Sequence, residues 1–305
     1  MYLPDVVNSF GHAMRTKYGE KVHKVSINAA FTCPNRDGSK GIGGCSFCNN
    51  RSFSPSTSKP PAIIEQIAAG QAVIQRRTGA KKYIAYFQAY TNTYAEVAYL
   101  QQQYDQALAT ENVIGLSVGT RPDCVPDEVL RLLADYQQQG HEVWLELGLQ
   151  SALNESLLRV NRGHGFEEYV DAVKRARLYG LQICTHLIVG LPGESAAMSH
   201  ESHRRVMELG THGLKLHPLH VVRHTMLAKE WKQGEYVTLD EADYIATACE
   251  LIKHTPDDVV FHRLTATANT SILLAPAWCN KKWAVLNAIY QQLLHEGAKQ
   301  GSALH

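Results

Sequence analysis

The segment Cys33-Pro-Asn-Arg-Asp-Gly-Ser-Lys-Gly-Ile-Gly-Gly-Cys45-Ser-Phe-Cys48 places three thiols in one glycine-rich loop with the spacing C-x11-C-x2-C. No fourth cysteine or histidine follows at ligand spacing. A closed structural zinc site needs four protein ligands, and ordinary iron–sulfur carriers use four cysteines. A cluster held by three thiolates leaves one iron open to a small molecule, so the segment reads as reactive rather than structural. The other four cysteines, Cys124, Cys184, Cys249 and Cys279, are far apart in sequence and read as small buried hydrophobes. No auxiliary cluster is expected from them.

The elements that position this loop follow from the pattern along the 305-residue chain. Strand-like runs span Val22–Ala29, Lys82–Gln88, Val113–Gly119, Glu142–Leu149, Leu181–Gly190 and Gly213–Leu219. Helix-like runs lie between them at Pro61–Arg77, Tyr94–Ala109, Asp127–Gln139, Phe166–Tyr179 and Ala196–Leu209. Pro61 suits a first helical turn, and Gly140, Gly180 and Gly210 suit helix stops. Strand–helix alternation with short connections predicts a parallel sheet with helices outside. Six such units need roughly 200 residues, too few for an eight-unit barrel. The expected fold is therefore α/β, a partial (βα)6 barrel over residues 1–220 with its cysteine loop at 31–50. Residues 221–305 are expected to add a helix near Leu239–His254, a strand near Val259–His262 and a helix near Lys281–Leu294, packed on the barrel mouth. Parallel barrels carry their chemistry at the C-terminal ends of the strands, and the cysteine loop directly follows the first one.

Hydrophobic residues make up 45% and charged residues 19%, enough apolar content for a sizeable core, and the formal net charge is +1. Overall charge therefore gives no case for nucleic acid, and a local patch would be needed. Arg76-Arg77 with Lys81-Lys82, Arg204-Arg205 and Lys281-Lys282 read as solvated helix ends. The N-terminal residues lack a signal-peptide pattern, and no apolar run reaches the roughly 20 residues that span a bilayer. A cytoplasmic protein with no membrane partner is expected.

Several strands carry polar residues where a parallel strand covered on both faces should be apolar. In Trp144-Leu-Glu146-Leu-Gly-Leu-Gln150, Glu146 and Gln150 share parity and project to one side, the leucines to the other. Polar groups pointing into a barrel lumen are costly unless they bind something; the alternative is an internal hydrogen-bonded pair with neighbouring strands. His186 stands alone in an apolar strand, a candidate catalytic or binding group or a satisfied core histidine. The glycines after it let a ligand approach the backbone. Gln88, Ala89 and Tyr90 end the second strand in a segment rich in hydroxyls and amides, which turn chemistry alone could also explain.

Together these pieces resemble the radical S-adenosylmethionine (SAM) superfamily. The common superfamily spacing is C-x3-C-x2-C, and a first gap of eleven is a less usual variant. The resemblance implies that Cys33, Cys45 and Cys48 hold a [4Fe-4S] cluster whose open iron chelates SAM. It implies that SAM cleavage yields a 5′-deoxyadenosyl radical, with a flavodoxin or ferredoxin-type protein as electron donor. Phe47 fits the aromatic position near adenine. The stretch from Glu146 through Gln150 and Ser151 to Arg162, Gly163 and His164 resembles the elongator catalytic subunit and oxygen-independent coproporphyrinogen oxidases. In those relatives the position of Gln150 faces SAM and that of Arg162 approaches its carboxylate, a role that suits a planar guanidinium. Gly190-Leu-Pro-Gly193 matches a loop bordering adenine, and His186 stands where the oxidases have an acidic ribose ligand. Gln88, Ala89, Tyr90 and Glu146 complete the expected cofactor-binding set.

Over nearly the whole chain the resemblance is to bacterial YhcC/YtqA-type radical SAM proteins. Its carriers include Tyr86-Phe-Gln-Ala-Tyr-Thr-Asn-Thr-Tyr94, Gly119-Thr-Arg-Pro-Asp123, Leu216-His-Pro-Leu-His220, His262-Arg263-Leu and Ala275-Pro-Ala-Trp-Cys279. It implies a tRNA wobble-uridine side chain as substrate, of the carboxymethylaminomethyl-to-aminomethyl type. Lys215, His217, His220, Arg223, His262 and Arg263 are the expected substrate contacts, against a reading as polar filler, and Cys279, beside Trp278, is a candidate hydrogen-atom donor to the product radical, with a core thiol as the alternative. Two other functions stay open: radical SAM chemistry on a small metabolite, and a non-enzymatic module in which the three cysteines bind zinc with His12 or His23, or hold a degenerate cluster.

Overall fold

The computed structural model describes residues 3–49 and 60–304, so Asn50 at the end of the expected cysteine loop and the terminal residues 1, 2 and 305 lie outside the described part. Six βα steps run through β1 (Val22–Ile27), α2 (Ile63–Thr78), β2 (Lys82–Phe87), α3 (Val97–Leu108), β3 (Val113–Thr120), α4 (Asp127–Gln138), β4 (Glu142–Gln150), α5 (Asn154–Arg159), α6 (Phe166–Leu178), β5 (Gln182–Val189), α7 (Ala196–Glu208) and β6 (Gly213–Pro218). Ahead of them lies α1 (Phe10–Tyr18). After them come β7 (Val221–Val222), α8 (Met226–Gln233), α9 (Glu241–Lys253), β8 (Val260–Arg263), β9 (Leu273–Ala275) and α10 (Lys282–His295). The strands form one parallel sheet in the order β1-β2-β3-β4-β5-β6-β8, curled into a partial barrel, while β7 and β9 make a small antiparallel pair.

The α/β partial barrel is as expected, but its sheet has seven strands among the described residues. β8, expected on the mouth, instead pairs in parallel with β6. Its outer edge is taken up by the segment before α1, where the Phe261 amide donates to the Asn8 carbonyl at 2.8 Å, which removes an exposed edge. Two helices start later than expected. Pro61 precedes α2 rather than opening it, and the Glu65 carboxylate accepts from the Ala62 amide at 3.3 Å. The segment before α3 is a turn, closed by the Tyr94 amide on the Thr91 carbonyl at 3.1 Å. Gly140, Gly180 and Gly210 follow their helices at φ of 94°, 69° and 72°, the left-handed stop expected of them.

Strand parity sorts the barrel into an outer core and a layered interior. Leu145, Leu147, Ile183, Leu187, Leu214 and Leu216 face the helices in one continuous core. On the inner side, Val22, Ile84, Trp144 and Cys184 form an apolar floor, closed from below by Phe10 and Met14 of α1. Helix α1 thus plugs the N-terminal end of the barrel. Above the floor the inward positions turn polar, and above those the interior is hollow.

Close strand packing makes Gly115 of β3 a sensitive point, because a Cβ there would stand 1.9 Å from the Glu142 carbonyl oxygen of β4. Backbone cannot yield as a side-chain tip does, so Gly115→Ala is expected to cost at least about 1–3 kcal/mol of overpacking. A urea unfolding series measures it; an unchanged midpoint would contradict this packing.

Candidate active site

A charged layer lies on the apolar floor, centred on Glu146, whose side chain is fully buried. Lys24 of β1 donates to its Oε1 at 2.5 Å, as does Ser117 of β3. Lys215 of β6 pairs with its Oε2, and His186 of β5 meets the same oxygen at 2.7 Å. An ionised carboxylate only accepts, so the Nε2 of His186 carries the proton. Lys24 also reaches the Nδ1 of His262 on β8 at 2.9 Å, and a lysine only donates, so that ring is neutral. Burial opposes the Glu146 charge, but Lys215 and Lys24 outweigh it and hold its carboxyl well below the usual range. Burial pulls the Lys215 ammonium down to about 7, with Glu146 opposing and Lys24 and Arg263 adding to the fall. Glu146 therefore fits the internal hydrogen-bond alternative: it has no side-chain surface on the cavity above and acts through Lys215 and His186, which do.

The cavity has a volume of about 1220 Å³ and opens at the C-terminal ends of the strands. Cys33, Cys45 and Cys48 all line it. Their loop folds back on itself, with the Gly44 amide on the Asn35 carbonyl at 2.7 Å and the Cys48 amide on the Cys45 carbonyl at 3.0 Å. Gly43 and Gly44 take φ of 85° and 81°, and a Cβ at Gly44 would meet Arg36 Nε at 2.8 Å. Arg36 is held there by the Cys48 carbonyl at 2.7 Å. Burial, then the neighbouring Cys45, pushes the Cys48 thiol up to about 11.

A second segment clasps this loop. The Asn35 side chain donates to the Asn161 carbonyl at 2.6 Å, the Asn161 side chain to the Gly44 carbonyl at 2.9 Å, and the Ser46 amide to the Val160 carbonyl at 2.9 Å. Arg162 follows directly. Its guanidinium donates to the Gly148 carbonyl at 2.5 Å and reaches Cys45 Sγ at 3.5 Å, while its buried Nε has no partner. Gly148 permits this approach, since a Cβ there would stand 3.0 Å from Arg162 Nη2 and 2.9 Å from Gln150 Nε2. Gln150 ends β4 at a φ of 81° beside a register shift, a strained backbone of the kind that collects at functional sites. Arg121, 2% exposed, supports the clasp: it pairs with Asp123 at 2.9 Å and donates to the Arg162 and Gly163 carbonyls.

Phe47, Gln88, Tyr90, Gln150, Arg162 and His186 line the cavity with the cysteines. Ala89 and Gly190 do not; the Gly190 carbonyl accepts from Tyr236 at 2.7 Å. Lys215, His217, His220 and Arg263 line it as well, but Arg223 and His262 do not, and the His262 side chain is sealed against Phe10 and Trp144 of the floor. Cys279 is fully buried off the cavity wall, and burial raises its thiol to about 12, so it answers to the core-thiol alternative. Neither His12 nor His23 joins the cysteines, and among the described residues no three His, Cys, Asp or Glu side chains converge on one point as a single zinc requires. Three thiols lining one cavity, with a guanidinium beside one and its buried Nε unpartnered, suit a multi-iron cluster with a small anionic partner. Lys24, Tyr86 and Lys282 were not picked out by the sequence as site residues. Lys24 shares the parity argument that singled out Glu146, and Lys282, expected on a solvated helix end, lines the cavity.

A family model described as the radical SAM superfamily matches residues 32–206, and one described as the radical SAM C-terminal domain matches residues 211–295. The chain belongs to the radical SAM superfamily. This radical SAM chain is 49% identical over 304 residues to Protein YhcC of Escherichia coli strain K12, covering 100% of the chain and 97% of that protein. A shorter match, 35% over 132 residues, is to the tRNA uridine(34) acetyltransferase of Dehalococcoides mccartyi, covering 42% of the chain and 28% of that protein. Among solved structures, archaeal Methanocaldococcus infernus Elp3 superposes with a TM-score of 0.69 at 19% identity, covering 92% of the chain and 64% of that structure. The radical SAM fold is thus shared with Elp3. Members of the superfamily bind a [4Fe-4S] cluster and SAM, and the chain is an enzyme of this class. No helix among the described residues is long and apolar enough to cross a membrane.

Glu146→Ala would leave Lys24 and Lys215 buried against each other, and is expected to cost about 3–5 kcal/mol in a urea unfolding series; a loss below about 1 kcal/mol would contradict the charge centre. Stability should also fall with acid. Burial holds His164 and His203 near 3 and His186 and His220 near 4, so they stay neutral in the fold. The unfolded chain binds those protons below about 6.5, so stability is fully present above 6.5 and is lost as pH falls toward 4, by up to about 1.4 kcal/mol per unit for each ring. Unfolding midpoints at pH 7.5 and 5.5 check this; equal values would contradict buried neutral rings.

Proposed function

We propose that this enzyme reductively cleaves SAM and uses the resulting radical to modify the side chain of a tRNA wobble uridine. The observation that carries the reading is one cavity bearing three thiols and Arg162 on one part of its wall and Lys215, His217 and Arg263 on another. Cys33, Cys45 and Cys48 would hold the [4Fe-4S] cluster. Gln150, Arg162, Phe47 and His186 would hold SAM, with Arg162 suited to its carboxylate. Gln88 and Tyr90 would border the same space, with Ala89, Gly190 and Glu146 supporting it from behind. Bound and reduced, the cluster would supply one electron for cleavage of the SAM sulfonium bond, and SAM would supply the hydrogen-abstracting group. The hydrogen would come from the carboxymethyl carbon beside the side-chain nitrogen; loss of one further electron, which the oxidised cluster can take back, and addition of water would break the bond from that carbon to nitrogen and release the two carbons as glyoxylate, leaving aminomethyl.

The partial match to a protein named for tRNA uridine(34) and the Elp3-like fold support tRNA over a free metabolite. The barrel at 1–220 would carry the cofactors, and residues 221–305 would supply cavity wall through Arg263 and Lys282. A flavodoxin or ferredoxin-type protein would deliver the electron in the cytoplasm.

Anaerobic reconstitution with iron and sulfide, followed by dithionite and SAM, tests the reading. The expected product is 5′-deoxyadenosine, increased by bulk tRNA from a strain lacking the enzyme, with a changed wobble nucleoside in that tRNA. Cys33→Ala, Cys45→Ala and Cys48→Ala should each abolish it. Turnover indifferent to tRNA would contradict the substrate, and cleavage surviving loss of a cysteine would contradict the chemistry.

A further inference from the structure

Arg263 is half-buried on the cavity wall and, among the described residues, its side chain has no hydrogen bond or ion pair. An unpaired guanidinium at such a site is costly to desolvate without an anion. Its position is built by a break in register. Leu214 pairs with Phe261, but the next pair is Lys215 with Arg263, so His262 is skipped. Such bulges re-aim a side chain. Here the shift sets Arg263 directly across from Lys215 on the neighbouring strand, and both line the cavity while His262 lies sealed below.

The charges around this pair do not balance. Glu146 is the carboxylate in contact with Lys215, and Lys24 already shares it. Tyr86, the other partner of Lys215 at 2.8 Å, is neutral, since burial and Glu146 push its phenol well above 10. Lys282 adds a further cation to the wall, close enough to Arg263 for that guanidinium to lower its ammonium, after burial. Lys281 and Lys282 begin α10 with no acidic residue in its first turn, against the helix dipole. The neighbouring histidines His217 and His220 are held neutral by burial. Cations thus outnumber anions on this part of the wall.

We propose that Arg263 and Lys215 form a subsite for a carboxylate at the tip of the substrate, distinct from the Arg162 side of the cavity. This rests on reading the cavity as the radical SAM site. Depth favours a carboxylate over a backbone phosphate: Lys215 is 4% exposed and Tyr86 5%, so only a slender side-chain tip reaches them. The planar fork of Arg263 can take both carboxylate oxygens, with Lys215 as a point charge beside it. The subsite would hold a carboxymethylaminomethyl group by its acidic end and keep the adjacent carbon in the cavity.

The test uses reconstituted holoprotein with SAM and two nucleosides that differ by one carboxymethyl group, 5-carboxymethylaminomethyluridine and 5-aminomethyluridine. Equilibrium binding should favour the first at least about tenfold, the range of one charge-assisted contact. Arg263→Gln should erase the preference and Arg263→Lys restore part of it. Gln strands no partner, because Arg263 has none, and an unchanged melting curve confirms folding. Equal binding by the wild type, tighter binding of uridine 5′-monophosphate, or a preference that survives Arg263→Gln would overturn the subsite. An equal loss of SAM affinity in Arg263→Gln would also overturn it, assigning the position to the SAM carboxylate. If the preference depends on Arg263 while turnover ignores tRNA, the subsite stands and the tRNA reading falls. If Arg263→Gln modifies tRNA with an unchanged Michaelis constant, the subsite falls and the tRNA reading stands.

Discussion

A carboxylate without water must be surrounded by donors, and the interior of this barrel is organised around satisfying one. Glu146 draws Lys24 from β1, Ser117 from β3, His186 from β5 and Lys215 from β6 onto its two oxygens, and Lys24 in turn holds His262 of β8. Residues from five other strands of the sheet are tied to one group. Its desolvation is severe, and only a complete shell of partners makes it tolerable. Because the layer is charged yet satisfied, it can serve as the floor of a hollow cavity. An apolar layer there would favour collapse and closure. The apolar plug of Phe10 and Met14 beneath it keeps water from the other side.

The upper layer is positioned differently, by backbone. The cysteine loop has little regular structure of its own, and its shape comes from hydrogen bonds to the segment Val160–Asn161 and from glycines that admit Arg36 and Asn35 closely. Arg162 links that clasp to the end of β4 through the Gly148 carbonyl. Arg121 braces it from β3 with an ion pair that holds Asp123 near 2, where burial alone would have raised it. The thiols and the guanidinium beside them are therefore fixed relative to one another before any cofactor binds, which is what preorganised electrostatics requires.

Much of this was legible in the sequence, for identifiable reasons. Thiol spacing, strand–helix alternation and glycine stops are local signals, and they placed the cysteine loop after β1 and the helix ends at Gly140, Gly180 and Gly210. The parity of Glu146 in an apolar strand marked a polar interior. What Glu146 does with that polarity was not legible, because its partners are from 29 to 122 residues away. The same parity argument applied to Lys24 would have found it. Strand β8 was recognised but misplaced, since nothing in four residues says which edge they join, and the bulge that aims Arg263 inward is a property of two paired strands. Helix α1 has only two buried apolar side chains, Phe10 and Met14, too faint a stripe to announce a barrel plug.

The central claim is that three cysteines hold a four-iron cluster with one iron left for SAM. Mössbauer spectroscopy of the anaerobically reconstituted protein, with and without SAM, tests it most directly. The account predicts a [4Fe-4S] spectrum in which SAM shifts one iron of the four and leaves three unchanged. Four equivalent irons indifferent to SAM, or a protein that takes up zinc and no sulfide, would contradict it.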